Sequence, residues 1–400
     1  MAKSTIDIKC KMLYNGPKSS REPLVIIYFM EGKEMKVLNK NPDRTQKYLI
    51  EELKTTEELL SKVATKLSGT KKKAEIYAMP DLSIPPYAYR LCGGFPTGIF
   101  AHWETDVPFI PVDTTMNVCG VSIYRLNNII DPLEFKKRVL EAFGNRSYNW
   151  NYTKGNHLVS LMYNDGTDCL QRGEYLVLHA SANEYQQNNM QEGLFVMTGN
   201  WFYDQIATET IENGRYLRYI SGQSAERFFR IYKKLEKYNM ERNDFFARLV
   251  LGDYYDKRVV SSIHYGMPTI NSISIGCHWH CRLYPLLTAP GKDIYLVYPD
   301  WKKSFKIGGK KVCLSPHGFG VKTDIFPFKI DGEKVVIGEK VFYANDYEHY
   351  SITIGKDTKV RGEDQVNETV TNILSSCTGE IVDRLEQIAA FTSKGFEIYI

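Results

Sequence analysis

The chain has 400 residues, 43% of them hydrophobic and 24% charged, with a formal net charge of +4 at neutral pH. That is the composition of a soluble globular protein, and no run approaches the ~18 apolar residues of a helical membrane span, which excludes that class. The mild positive charge permits a nucleic-acid or nucleotide partner without arguing for one.

The opening Met1-Ala2-Lys3-Ser4 leads straight into polar sequence, so no signal peptide and a cytoplasmic location are expected. The eight cysteines show no framework spacing. In a reducing compartment they read as free thiols, some of them metal ligands.

Residues 1 to about 45 alternate in short apolar runs, such as Leu24–Phe29, and predict strands of a small hairpin sheet. Residues 46–69 carry Leu49, Leu53, Leu59, Leu60, Val63 and Leu67 at helical spacing. The Lys71-Lys72-Lys73 run then reads as a solvated loop.

From Ala74 to Leu126 the chain is rich in Pro and Gly, with Met79-Pro80-Asp81, Gly93-Gly94-Phe95-Pro96-Thr97-Gly98 and Pro111-Val112-Asp113. Loops are expected there, followed by a strand over Asn117–Tyr124 that begins at Cys119-Gly120. Asp131 before Pro132 predicts an N-capped helix over 132–144.

Gly155-Asn156-His157 enters a strand, and Tyr175–Ser181 is another, with His179 at its end. Two strand-end histidines and a cysteine at a similar strand terminus form a candidate metal constellation. Residues 203–213 and 222–252 predict helices.

Val259–Leu287 is β-rich and holds His264, His278 and His280. If Cys277-His278-Trp279-His280-Cys281 is a strand, the cysteines and Trp279 share one face and the histidines the other. A zinc site using one face is an open alternative to a structural role.

Lys302, Lys303, Lys306, Lys310 and Lys311 make a basic loop ahead of His317-Gly318-Phe319-Gly320. It reads as a solvated hairpin, or as a partner for a phosphate-bearing substrate. The two glycines allow a close backbone approach to phosphate, and a neutral imidazole is a competent nucleophile toward phosphorus. Residues 324–362 read as strands and turns, and 363–391 as a helix broken near Gly379 and stopping at Ser393-Lys394-Gly395.

Taken in order, Met79-Pro80-Asp81, Asn117-Val118-Cys119-Gly120-Val121, Gly155-Asn156-His157, His179-Ala180-Ser181, a later histidine, His317-Gly318-Phe319-Gly320 and Ser393-Lys394-Gly395 resemble the RtcB-type RNA ligases. The resemblance covers about residues 74–395, and residues 1–73 carry little of it. It implies an α+β fold, a single large domain of mixed and antiparallel sheets with flanking helices.

It further implies a GTP-dependent ligase for RNA repair or tRNA splicing. Such an enzyme joins RNA 3′-phosphate or 2′,3′-cyclic phosphate ends to 5′-hydroxyl ends through a histidine–guanylate, with two Mn2+ ions. On this resemblance His317 is the nucleophile, and Cys119 bridges the metals with His157 and His179. His264 is the third histidine ligand, with His278 or His280 as fallback. Asn156, Ser181, Gly318, Gly320 and Lys394 are the nucleotide contacts.

The chain departs from the pattern at several places. The family's metal-binding aspartate is Asn117, its glutamate after Gly-Asn-His is Ser160, and two arginines are Asn183 and Val321. Ser83 lies near the missing histidine after Met-Pro-Asp, and Asp113 is the nearest carboxylate to Cys119. A Cys/His site without a carboxylate shifts toward Zn2+. The alternative implied is a family-like nucleotide- or RNA-binding protein that no longer ligates.

Overall fold

Alternation along one strand shows how the core is layered. In Gly120–Leu126, Val121 and Ile123 face one side and pack with Met162, Tyr175 and Val177. Tyr124 and Leu126 face the other and meet Phe135, Val139, Phe246 and Val250 of two helices. Period-two side chains in a strand buried on both faces dictate this pattern.

The computed structural model describes residues 35–148, 150–182, 193–196, 199–280, 282–289, 291–347, 351–376 and 379–399. The fold is α+β. An antiparallel sheet runs in the order Tyr255–Ile263, Gly120–Leu126, Gly173–Ala180, Leu158–Asn164, Gly379–Thr392, Ile294–Pro299 and Tyr284–Leu286, with Gly395–Ile398 hydrogen-bonded to Gly379–Thr392.

A second sheet runs Lys36–Val37, Ala74–Ser83, Thr97–Trp103, Ser272–Ile275 and Tyr265–Thr269. Its first pair is parallel and the rest antiparallel, which makes it mixed.

Helices flank the sheets where the sequence predicts three of them. Arg44–Ser68 starts with a reciprocal capping box between Asp43 and Gln46, and buries Leu49, Leu53, Leu60 and Val63 against Ile76 and Ala78. Pro132–Gly144 is capped by Asp131, whose Oδ1 accepts from the N–H groups of Leu133 and Glu134 at 2.9 and 3.2 Å. Gln223–Leu251 is the third.

Other expectations are corrected. Residues 74–126 are not mainly loop: strands run through Ala74–Ser83 and Thr97–Trp103. Residues 203–213 hold a 3₁₀ turn at Tyr203–Gln205 and a strand at Ala207–Thr210 instead of a helix. The C-terminal helix spans only Val366–Ser376. Gly379–Thr392 is a strand in the middle of the large sheet, and its β-branched and aromatic content fits that place better than a helix. Ser393-Lys394-Gly395 is therefore the turn of a hairpin, not a helix stop. The strands expected within residues 1–34 lie outside the described residues.

The register of the large sheet gathers the candidate site. Gly120 pairs with Ala180 and with Ile263, and His179 pairs with Leu158. In antiparallel neighbours this puts Cys119, His157, His179 and His264 at one end of the sheet, His179 as the penultimate residue of its strand and the other three one residue outside theirs. His264 is the single residue between Tyr255–Ile263 of the large sheet and Tyr265–Thr269 of the mixed sheet.

Candidate functional site

Cys119 follows a loop in which two non-glycine residues, Thr115 and Val118, have positive φ, 48° and 52°. This region is costly for a β-branched valine. Several bonds hold it in place: the Asn239 amide donates to the Val118 carbonyl at 2.8 Å, and the Cys119 N–H donates to Asn117 Oδ1 at 3.0 Å. The Cys119 carbonyl accepts from the N–H groups of His264 and Tyr265 at 3.0 and 3.2 Å.

Around the thiol, His179 Nε2 lies 3.1 Å and His157 Nε2 3.5 Å from Sγ. The other nitrogen of each ring is engaged. His157 Nδ1 donates to Asn151 Oδ1 at 3.0 Å, and His179 Nδ1 donates to the Asn156 carbonyl at 3.0 Å. These bonds fix the tautomer that aims both Nε2 lone pairs at the sulfur, the arrangement that oriented metal ligands use. The three donor atoms lie within 4.8 Å of one another. A tetrahedral zinc would hold S and N about 3.5 Å apart, close to what is seen.

His264 continues the cluster. Its ring centre is 5.3 Å from that of His179 and 4.9 Å from that of His317. Its buried Nδ1 has no hydrogen-bond partner, a loss of about 1–3 kcal/mol that a bound ligand would offset.

His317 is brought in from another element. The Ser315–Pro316 strand pairs with Cys277–His278, and the fully buried Asp81 of the mixed sheet receives the loop. Asp81 Oδ2 accepts from His317 Nδ1 at 2.6 Å, from the His317 N–H at 3.1 Å and from the Gly318 N–H at 3.3 Å. That leaves Nε2 as the ring nitrogen for chemistry. His317 keeps 14% side-chain exposure, which opens this end of the cluster to solvent.

Burial sets the protonation states. It pushes the Cys119 thiol up to about 12 and His179 down to about 4. His157 and His264 are also held well below the ordinary imidazole value, by burial first and then by neighbouring histidines. At neutral pH the imidazoles are neutral donors, and only a bound cation would make Cys119 a thiolate.

The structure thus brings together Cys119, His157, His179, His264 and His317. The fallback ligands are engaged elsewhere. Ser262 Oγ donates to His278 Nδ1 at 2.6 Å and accepts from His280 Nε2 at 2.8 Å, and His278 Nε2 donates to the Pro285 carbonyl at 3.3 Å. The expected alternation holds for the described part of this segment, since Cys277 and Trp279 pack with Tyr77 and Leu314; Cys281 lies outside the described residues.

Other expected contacts take structural roles. The Asn117 oxygen caps the Cys119 N–H as above. Asp113 is fully buried and ion-paired with Arg218, at 3.0 Å through Nε, so it is not a substitute metal carboxylate. Ser181 is fully buried: its Oγ accepts from the Asn151 amide at 3.0 Å and its carbonyl from Arg242 at 2.7 Å. It is a support beneath the ligands.

Gly318 and Gly320 are required for protein packing. A Cβ on Gly318 would meet the Leu287 carbonyl at 2.4 Å, and one on Gly320 the Asp81 carbonyl at 2.2 Å. Asn156 gives its backbone carbonyl to His179 while its side chain is exposed. Lys394 is exposed at a hairpin tip, and the Phe391–Val159 pairing carries that tip past the sheet end where His157 lies.

Two groups of residues were not assigned from the sequence. Asp81 lies in Met79-Pro80-Asp81, a stretch that by itself gives the aspartate no role. Asn239, Arg242 and Asn243 form a buried polar stripe on the long helix; their i, i+3, i+4 spacing amid apolar residues was the available signal.

The fit of the cluster to a metal follows from its donors. One thiol and two imidazoles, with an unpartnered imidazole nitrogen beside them, suit a borderline-soft divalent ion. Among the described residues no carboxylate joins the group, so it suits Zn2+ better than the Mn2+ pair that the resemblance implies. No protein-family model matches the chain, and no curated protein matches it.

Proposed function

We propose that this chain is a metal-dependent RNA ligase that joins a 3′-phosphate end to a 5′-hydroxyl end through a histidine–nucleotide intermediate, with GTP as donor. One observation carries the proposal: His317, its Nδ1 held by buried Asp81 at 2.6 Å, stands 4.9 Å ring to ring from His264, beside the Cys119/His157/His179 donors.

His317 Nε2 attacks the α-phosphorus of GTP. An N–P bond forms, the α–β P–O bond breaks and pyrophosphate leaves. Asp81 keeps the proton on Nδ1 and offsets the positive charge that the ring gains. An oxygen of the RNA 3′-phosphate then attacks the same phosphorus, breaking N–P and forming a phosphoanhydride. The 5′-hydroxyl attacks the 3′-phosphorus, GMP leaves, and the hydroxyl proton passes to solvent. A 2′,3′-cyclic phosphate must first be opened by water to enter this path.

Cys119, His157 and His179 would hold the ion, with His264 at hand, and a divalent ion there would neutralise phosphoryl oxygens as charge moves. Asn151 and the Asn156 carbonyl keep the imidazoles oriented for it.

A second reading, nucleotide or RNA binding without ligation, is favoured by the fate of two departures. Ser160 Oγ donates to the Ala389 carbonyl at 3.2 Å, and Val321 pairs with Val360, so neither offers a charge to phosphate; Asn183 lies outside the described residues. Incubation with α-labelled GTP and either Zn2+ or Mn2+ separates the two. An acid-labile, alkali-stable label on the protein, absent in His317→Ala, supports the ligase. A folded, metal-loaded protein that takes no label with either ion rejects it.

A further inference from the structure

We propose that the lysine hairpin of residues 305–312 binds the phosphate backbone of single-stranded RNA and leads its end toward His317; the second half rests on the ligase reading, the first does not. The hairpin joins Phe305–Ile307 to Lys310–Val312 through Gly308-Gly309, both at positive φ, 53° and 79°. Such a turn matches the twist of two strands and is tight.

Its inner face is anchored. Phe305 meets the Tyr77 ring edge-on at 4.9 Å between centres, and Ile307 is buried in the same apolar cluster as Leu314, with Val312 against it. The outer face is a fixed platform of cations. Lys306 and Lys311 are directly opposite each other across the strands and make this face, while Lys310, registered opposite Ile307, belongs to the other face and adds its charge at the hairpin tip; all three are exposed.

Like charges directly opposite destabilise a strand pair. Among the described residues no carboxylate lies within ion-pairing distance of these three, and the sequence from Trp301 to His317 contains no Asp or Glu. Lys302 and Lys303 extend the patch, the latter with Asp300 3.9 Å away. Trp301 is 45% exposed beside them, a flat ring on which an unpaired base can stack.

A polyanion with exposed bases relieves the repulsion and uses the ring. The platform is also coupled to the candidate site by the chain itself. Five residues carry Val312 to His317, a span of at most ~18 Å, which a few nucleotides of single strand cross.

The test is fluorescence anisotropy with a 5′-labelled oligouridylate of about 20 nucleotides ending in a 3′-phosphate, without GTP, over about 50–200 mM salt. The Lys306→Ala/Lys310→Ala/Lys311→Ala protein should bind about tenfold more weakly, and its log K against log salt should be flatter by about 2, since each single-strand phosphate contact contributes ~0.7. The matching triple arginine variant should bind like the parent, and equal melting temperatures confirm that all fold.

Unchanged affinity and slope in the alanine variant would overturn the proposal. So would a parent that binds anionic phospholipid vesicles but no RNA. Because no nucleotide transfer is measured, a failed ligase reading leaves this result standing, and a failed hairpin leaves His317 labelling to be judged alone.

Discussion

Asp81→Asn should separate catalysis from stability at His317. The carboxylate is fully buried, and its Oδ2 takes three N–H groups, the His317 ring at 2.6 Å among them. An asparagine oxygen can keep that acceptor place, so the loop position survives. The amide NH2 then falls where Oδ1 now lies buried without a partner, and an unpaired donor there costs about 1–3 kcal/mol. Removing a buried charge offsets part of this. The net change in stability should stay within about 2 kcal/mol.

Labelling chemistry should suffer more. When Nε2 bonds phosphorus the ring becomes a cation, and a carboxylate about 4 Å from its centre is worth about 4 kcal/mol at an effective dielectric of 20. In the proposed reaction its loss should slow formation of the histidine–nucleotide about 1,000-fold. The assay is the single-turnover rate of protein labelling by α-labelled GTP, with thermal unfolding alongside. A variant that labels within tenfold of the parent rate at an unchanged melting temperature would refute the role given to Asp81.

Three further outcomes are expected. Metal analysis of protein purified without added manganese should find zinc near one per chain, falling severalfold in Cys119→Ala; manganese in excess of zinc would contradict the donor argument. Asp113→Asn should lower unfolding free energy by about 3 kcal/mol, because it leaves Arg218 without its buried partner, while metal content stays the same; lost metal would return Asp113 to the site. Burial pushes His280 down to about 4, so the unfolded chain takes up a proton below the ordinary value of about 6.5 while the folded chain does not. Stability should therefore fall as pH drops from about 6.5 to about 4, by up to about 3 kcal/mol from this residue, and urea melts of His280→Gln should show a shallower fall; an identical slope would show that His280 is protonated while folded.

Part of the candidate site was legible because its residue types are chemically scarce. His157, His179, His264, His278, His280 and His317 are six of the chain's eight histidines, and cysteine beside histidine at strand ends is an uncommon pattern with few uses. Glycine and asparagine gave weaker guidance, since either serves a turn as readily as a ligand. Gly318 and Gly320 proved to make room for the carbonyls of Leu287 and Asp81, and Asn117 proved to cap the Cys119 N–H.

Local patterning alone determined the Arg44–Ser68, Pro132–Gly144 and Gln223–Leu251 helices and the strands leading into or out of Cys119, His157 and His179. Capping and periodicity act within a few residues, so they can be read along the chain. Residues 379–392 could not be read that way: apolar positions spaced for a helix became a strand because the large sheet offered partners on both edges. Only the tertiary structure decided that Asp81 holds His317 across 236 residues of sequence, that Arg218 takes Asp113, and that His264 stands between the thiol cluster and His317. These pairings form where strand register and packing converge, and register over such separations is set by the whole core rather than by any local stretch.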